Sequence, residues 1–185
     1  NVPSIVNLFA RFITNITGTK NWEDADNQDG IRPESVEIQL YANGTAVENQ
    51  KVTLNAENQW TYSFTNLNAY DADGTKIHYT IDEITELPGY SKAIEEGINT
   101  IITNTHIPET VDIQITKNWD DENDQDGIRP DSVTISVKDG EEVIKTITVT
   151  AEENWTHTLS DLPRYQAGRE IDYTVVEDVV DGYNE

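Results

Sequence analysis

The residues with the most chemistry in them are a lysine, a glutamate and an asparagine that strand periodicity aims at one interior. Lys20 lies in Thr19-Lys20-Asn21-Trp22, and Lys117 lies in the identical Thr116-Lys117-Asn118-Trp119. In the second copy Val111, Ile113, Ile115, Lys117 and Trp119 alternate with Asp112, Gln114, Thr116 and Asn118, the period of a half-buried strand. On position alone Lys117 reads as a side chain whose stem lies along the core and whose ammonium snorkels out at the strand end. Two more strands weaken that reading. Ile77, Tyr79 and Ile81 share a face with Glu83, as Ile171, Tyr173 and Val175 do with Glu177. Ile98 and Ile102 share a face with Asn104. Singly, each is a polar group at a strand end. Together they would bury charge, which is costly unless the groups neutralise. Burial turns a lysine toward its free amine and keeps a glutamate protonated. A neutral amine, an amide and a carboxylic acid in a dry pocket are the parts for amide exchange.

The elements that must position these groups come from an internal repeat. Lys20, Trp22, Gly30 and Pro33 correspond to Lys117, Trp119, Gly127 and Pro130; Trp60, Leu67 and Tyr70 to Trp155, Leu162 and Tyr165; Tyr79 and Glu83 to Tyr173 and Glu177. The correspondence predicts two tandem domains, residues 18–108 and 109–185, with a short stiff linker at Pro108. Within a copy nearly everything reads as strand. Val36, Ile38 and Leu40 alternate up to an Ala42-Asn43-Gly44 turn; Lys51 to Leu54 follow; Trp60, Tyr62 and Phe64 alternate; Ile98 to Thr105 closes the copy. Asn68 to Gly74 has room for one helical turn. This spacing predicts an all-β protein, two tandem antiparallel sandwiches. In the second copy nothing corresponds to Ile98–Thr105, so this domain is expected to lack its own last strand. Residues 1–17 precede the first lysine strand, and Phe12 to Thr17 resemble the closing Ile101–Thr105. The chain thus reads as cut inside a repeat.

Composition limits the partners. A net charge of −23 argues against nucleic acid and anionic membrane surfaces. The absence of cysteine removes disulfides and thiolate metal sites. No stretch is apolar and long enough to span a membrane. No signal peptide is visible, which fits a mature form or a fragment.

The string Thr-Lys-x-Trp, Asp-Gly-x-Arg-Pro, Asn-x-Trp-Thr, Tyr-Thr-x-x-Glu, Pro-Gly-Tyr and Ile-Thr-Asn-Thr resembles the Cna B-type domains of Gram-positive surface proteins, over residues 17–108 and 112–183. The resemblance implies a seven-stranded, immunoglobulin-like (prealbumin-type) sandwich. It also implies a spontaneous isopeptide bond between a lysine on the first strand and an asparagine on the last, assisted by an acidic residue. On this chain these are Lys20 and Asn104 with Glu83, and Lys117 with Glu177 and an asparagine not found downstream. For the second domain the expectation is strand donation: Asn15, on residues 8–17 of a neighbouring copy, bonds to Lys117 and builds a head-to-tail fibre. The function implied is a structural stalk or fibre module, extracellular and anchored to the cell wall or in a surface fibre. It turns over once on itself and is not an enzyme on an external substrate. Its partners are then neighbouring copies or repeats, and a host matrix protein through the parent adhesin. The alternative is a module that itself contacts host matrix.

The acidic loops Asp24–Gly30 and Asp120–Gly127 raise calcium, with Asp24, Asp26, Asp29, Asp124 and Asp126 as candidate ligands. Their register does not match an EF-hand loop, since the closing position falls on Val36. A turn held by Asx hydrogen bonds is the expected reading. His78, His106 and His157 are scattered without metal spacing, and no cofactor is expected.

Overall fold

Alternating sequence becomes strand through most of the chain. The computed structural model describes residues 11–97 and 99–184. These fall into two compact units. The first ends at Ile107 and the second begins at Pro108, with residues 27–31 grouped with the second.

The first unit has seven strands: β1 (Ile13–Glu23), β2 (Ser35–Ala42), β3 (Thr45–Asn55), β4 (Thr61–Asn68), β5 (Tyr79–Glu83), β6 (Ser91–Glu95) and β7 (Asn99–Thr105). They form two sheets, ordered β4-β1-β7-β6 and β3-β2-β5. Between them lie Val36, Ile38 and Leu40 of β2, Leu54 of β3, Tyr62, Phe64 and Leu67 of β4, Ile81 of β5 and Ile102 of β7. These are the residues that period-two patterning places on the inner faces. Asn43 and Gly44 both adopt positive φ, as a two-residue hairpin demands where strand twist must be matched.

One ladder departs from the antiparallel expectation. β1 and β7 run parallel, with Lys20 beside Ile102 and Trp22 beside Asn104. The first and last strands of the unit are therefore direct neighbours, and the lysine and asparagine faces coincide. Gly18 makes their close approach possible. A Cβ there would stand 2.0 Å from the Thr100 carbonyl oxygen and 2.3 Å from the Tyr62 hydroxyl. That hydroxyl donates to the same carbonyl at 3.1 Å. Opposite Tyr62 in the ladder is Gly18; in the second unit the matched pair is Ile115 and His157. A glycine facing a large ring becomes an aliphatic facing a smaller one.

Other expectations shift locally. Trp60 precedes β4 in a left-handed conformation, as Trp155 precedes its own strand. Each follows another left-handed residue, so the turn, not the strand, sets the indole direction. β6 is an edge strand on which only Ile94 is half-buried. Residues 68–74 form turns without a helix. Residues 13–17 are the beginning of β1, hydrogen-bonded to β4 and continuous with the lysine segment. Of the expected separate strand over residues 1–17, residues 1–10 lie outside the described residues, as does Ile98.

The second unit has β8 (Thr110–Thr116), β9 (Ser132–Asp139), β10 (Glu142–Thr150), β11 (Thr156–Pro163), the short β12 (Tyr165–Gln166) and β13 (Arg169–Glu170), and β14 (Tyr173–Glu177). A single 3-10 turn spans Ala151–Glu153. Sheets β10-β9-β14 and β11-β8 enclose Ile115, Val133, Ile135, Val137, Ile147, Val149, Leu159 and Leu162. Among the described residues β8 pairs only with β11, whereas β1 pairs with both β4 and β7. This explains why β8 ends at Thr116, short of the expected Lys117 and Trp119. In β1 the segment beyond Thr19 runs along β7, with one further bond from the Lys20 N–H to the Trp60 carbonyl at 2.7 Å.

Candidate functional site

β1, β5 and β7 deliver Lys20, Glu83 and Asn104 to one end of the first core. All three are buried. Asn104 Nδ2 donates to Glu83 Oε1 at 2.7 Å, and Lys20 Nζ lies 3.8 Å from Glu83 Oε2. Lys20 Nζ donates to the Asn21 carbonyl at 2.7 Å and sits 3.8 Å from the centre of the Trp22 ring. Glu83 Oε2 and Asn104 Oδ1 are buried and accept no hydrogen bond among the described residues. One carboxyl group thus touches both the amine and the amide.

Burial sets the electrostatics. It lowers the Lys20 pKa to about 8, against the opposing pull of Glu83 and Asp24, with Arg32 assisting. Burial raises the Glu83 carboxyl, against the Asn104 hydrogen bond and the charges of Lys20 and Lys92. Lys92, on β6, donates to the Glu83 backbone carbonyl at 2.8 Å and to Asp82 at 2.5 Å. The amine is moved toward its nucleophilic form and the acid toward its protonated form. Such opposed shifts in a buried pair mark sites prepared for proton transfer.

The second unit holds Lys117 and Glu177 together, Nζ to Oε2 at 3.0 Å. Lys117 Nζ lies 4.5 Å from the Trp119 ring centre. Here the side chains are 18% and 27% exposed, against 0% and 1% for Lys20 and Glu83. Lys117 borders two open grooves of about 610 and 450 Å³, lined in part by Trp119, Tyr183, Val176 and Val180.

Asn15 is in a different place from the one expected. It stands at a bulge in the β1–β4 ladder, where its Oδ1 accepts the Asn66 N–H at 3.0 Å. Asp112 does the same for Asp161, also at 3.0 Å and also at a bulge. Asn66 and Asp161 share a φ of 57°. Asn15 is therefore the counterpart of Asp112, a bulge cap, and not of Asn104.

The acidic loops are likewise otherwise engaged. Asp24 accepts two bonds from Arg32, at 2.9 and 2.5 Å, and one from the Tyr90 hydroxyl at 2.8 Å. Asp26 is exposed, 3.9 Å from Arg32. Asp29 Oδ2 accepts the Glu109 N–H at 2.8 Å. Asp124 accepts the Arg129 N–H at 3.0 Å, and Asp126 is exposed. No three acidic or histidine side chains converge among the described residues in a way that could hold a metal ion. His106 Nδ1 bonds the Gly89 carbonyl at 2.8 Å.

Sequence reasoning missed the wall around the lysine. Trp22 meets Trp60 and Tyr90 edge-on, with ring centres 5.2 and 5.3 Å apart. Trp119 meets Trp155 and Tyr183 at 5.1 and 4.9 Å. The available signal was the recurrence in both copies of an aspartate two residues after the tryptophan, an arginine in the loop and a distant Gly-Tyr.

Comparison with known proteins fits this geometry. A collagen adhesin of Staphylococcus aureus is 40% identical over 185 residues, covering 99% of this chain and 16% of the adhesin. The chain therefore spans a small part of that relative's length. A solved structure of two B repeat units of the collagen binding protein of Staphylococcus aureus aligns at 40% identity with a TM-score of 0.84, covering 92% of this chain and 46% of that one. The model of the Cna protein B-type domain matches residues 16–105 and 113–185, and the chain belongs to that family.

Proposed function

We propose that this chain is a stalk segment of an extracellular surface adhesin, and that its first domain is stapled by a Lys20–Asn104 isopeptide bond formed without an external enzyme. The observation that carries the reading is the buried Glu83 carboxyl in reach of both partners, 2.7 Å from the Asn104 amide and 3.8 Å from the Lys20 amine. In its protonated form Glu83 can donate to the Asn104 carbonyl oxygen and polarise it. The free amine of Lys20 attacks Cγ. The Nζ–Cγ bond forms, the Cγ–Nδ2 bond breaks, and one amine hydrogen, passed through Glu83, leaves with Nδ2 as ammonia. The fold supplies the proximity that such a reaction otherwise lacks.

The parallel β1–β7 pair supports a mechanical role. Force entering ahead of Ile13 and leaving after Thr105 would shear these neighbours along their length. A bond from Lys20 to Asn104 carries that force directly and leaves the strands between them unloaded. In the second domain Lys117 and Glu177 are set beside the free side of β8. The same chemistry there needs a strand that brings an asparagine parallel to β8. The relative is named for collagen; in the stalk reading this segment carries such a binding region and does not itself make the contact.

Intact mass under denaturing conditions tests the staple. The expected result is one ammonia, about 17 Da, lost per bond, and a branched peptide joining Lys20 to Asn104 after proteolysis. An unmodified mass would overturn the reading.

A further inference from the structure

The loop after each lysine strand contains an arginine–aspartate ion pair that the amide exchange itself does not use. Asp24 is almost fully buried. Arg32 grips its carboxylate with Nε and Nη2 at 2.9 and 2.5 Å, and the Tyr90 hydroxyl donates to Oδ2 at 2.8 Å. The same arginine lies 5.5 Å from the centre of the Trp22 ring, against which Lys20 Nζ rests at 3.8 Å. Tyr90 meets that ring edge-on. The second unit repeats each contact. Arg129 holds Asp121 at 2.9 and 2.5 Å, Tyr183 donates to Asp121 Oδ2 at 2.8 Å, and Arg129 lies 5.4 Å from the Trp119 ring.

We propose that this Asp–Arg–Tyr fork is a positioning device for amide exchange: it seats Trp22 as the wall of the Lys20 site and keeps the buried Asp24 carboxylate committed to Arg32 and away from the lysine amine. The proposal rests on the reading of Lys20 as a nucleophile. A bidentate guanidinium–carboxylate pair is planar and holds both partners in one geometry. Anchored by Tyr90 from the far side of the sequence, it fixes the loop on which the Trp22 wall depends.

The electrostatic side follows from which groups face Lys20. Glu83 approaches from β5, with Asp82 and Lys92 beside it, and Asp24 and Arg32 approach from the loop. Glu83 must stay close, because it handles the proton. Asp24 is a second buried carboxylate that, uncompensated, would hold the lysine as an ammonium and quench the nucleophile. Arg32 cancels it. The two act on Lys20 in opposite directions, Asp24 upward and Arg32 downward.

The test uses the full chain. In an Asn104→Ala background, which cannot form the bond, NMR titration of the Lys20 side chain reads its protonation midpoint directly. Arg32→Gln is expected to raise that midpoint by roughly one unit and Asp24→Asn to lower it. The double variant Asp24→Asn/Arg32→Gln removes both charges, avoids a lone buried carboxylate, and is expected to return toward the parent value. With Asn104 present, Arg32→Gln is expected to lose ammonia about tenfold more slowly at pH 7, with the rate profile displaced to higher pH. A fork that is only structural would lower stability and leave the pH profile in place. Unmoved midpoints in both single variants, with an unchanged rate profile, would overturn the proposal. A wild-type chain that loses no ammonia would overturn the underlying reading of Lys20 and the proposal with it. The titration arm separates these results, because it needs no bond to form.

Discussion

Replacing Glu83 with glutamine isolates what the carboxyl group does. Glutamine keeps the size of the side chain and an oxygen that can accept from Asn104 Nδ2, the bond now 2.7 Å long. It has no proton to relay and no charge to offer Lys20. The variant is therefore expected to fold around an intact amine and an intact amide, and its mass should exceed that of the wild type by about 16 Da, the retained ammonia less the about 1 Da that the Glu-to-Gln exchange removes. The stability cost follows from the loop that the bond closes. Lys20 to Asn104 encloses about 85 residues, and the chain-entropy relation for cross-links assigns such a loop roughly 4–5 kcal/mol. A domain of this size shifts by roughly 4–8 °C per kcal/mol, so the melting temperature should fall on the order of 20–35 °C. Some of that fall could come from a buried ammonium left without its partner. Measuring urea unfolding at neutral pH and again near pH 11, where the amine is largely free in both the native and the unfolded state, separates the two, since only the loop contribution survives there. Calorimetry and intact mass on the same samples complete the assay. If Glu83→Gln is only about 1 Da lighter than the wild type and melts within a few degrees of it, the proposed role of Glu83 in the staple is refuted.

Two further outcomes follow from the same geometry. In Asn104→Ala, which cannot form the bond, Lys20 has a native pKa of about 8 against 10.5 for the ordinary side chain. The unfolded chain binds the extra proton between those values, so stability should rise with pH from about 8 to 10.5, by about 3 kcal/mol in total. Urea midpoints across that window check the sign, and the bonded wild type should lack this dependence. Asn15→Ala removes the cap on the Asn66 N–H and should cost about 1 kcal/mol in urea unfolding. It should leave any covalent ladder on a denaturing gel unchanged; loss of a ladder would restore Asn15 as a cross-linking residue.

Lys20, Glu83 and Asn104 were legible because each sits on a strand whose side chains alternate strictly, and parity survives however the strands are arranged. Parity carries no direction, so the parallel course of β1 and β7 was not legible. It depends on Gly18 allowing the Thr100 carbonyl and the Tyr62 ring to close on the backbone, a contact across three strands. β6 escaped because an edge strand with one half-buried residue has little pattern to read. Trp60 was assigned to a strand because it continues the alternation, yet it lies at positive φ just outside, as does its counterpart Trp155. The place of Asn15 on the opening strand was not legible for a related reason. Ile-Thr-Asn fits a closing strand as well as an opening one, and only the bulge partner distinguishes them.

The two lysines carry the same neighbours at different depth, and the difference identifies what the last strand contributes. Both lie against a tryptophan, both face a glutamate, and both tryptophans are flanked by the same Asp–Arg–Tyr fork. Lys20 and Glu83 are sealed, whereas Lys117 and Glu177 remain partly in water. Sealing coincides with β7, which lies along β1 and carries Asn104. One strand thus brings the electrophile and excludes the solvent that would keep the amine charged and hydrated. Before it docks, the lysine and glutamate form a partly exposed ion pair, a state of little cost and no reactivity. After it docks, the same pair is desolvated with the amide hydrogen-bonded to the glutamate. In the proposed exchange, reaction is then coupled to completion of the sandwich, so a chain whose last strand is unpaired or out of register leaves its lysine unbonded and stays free to correct the error.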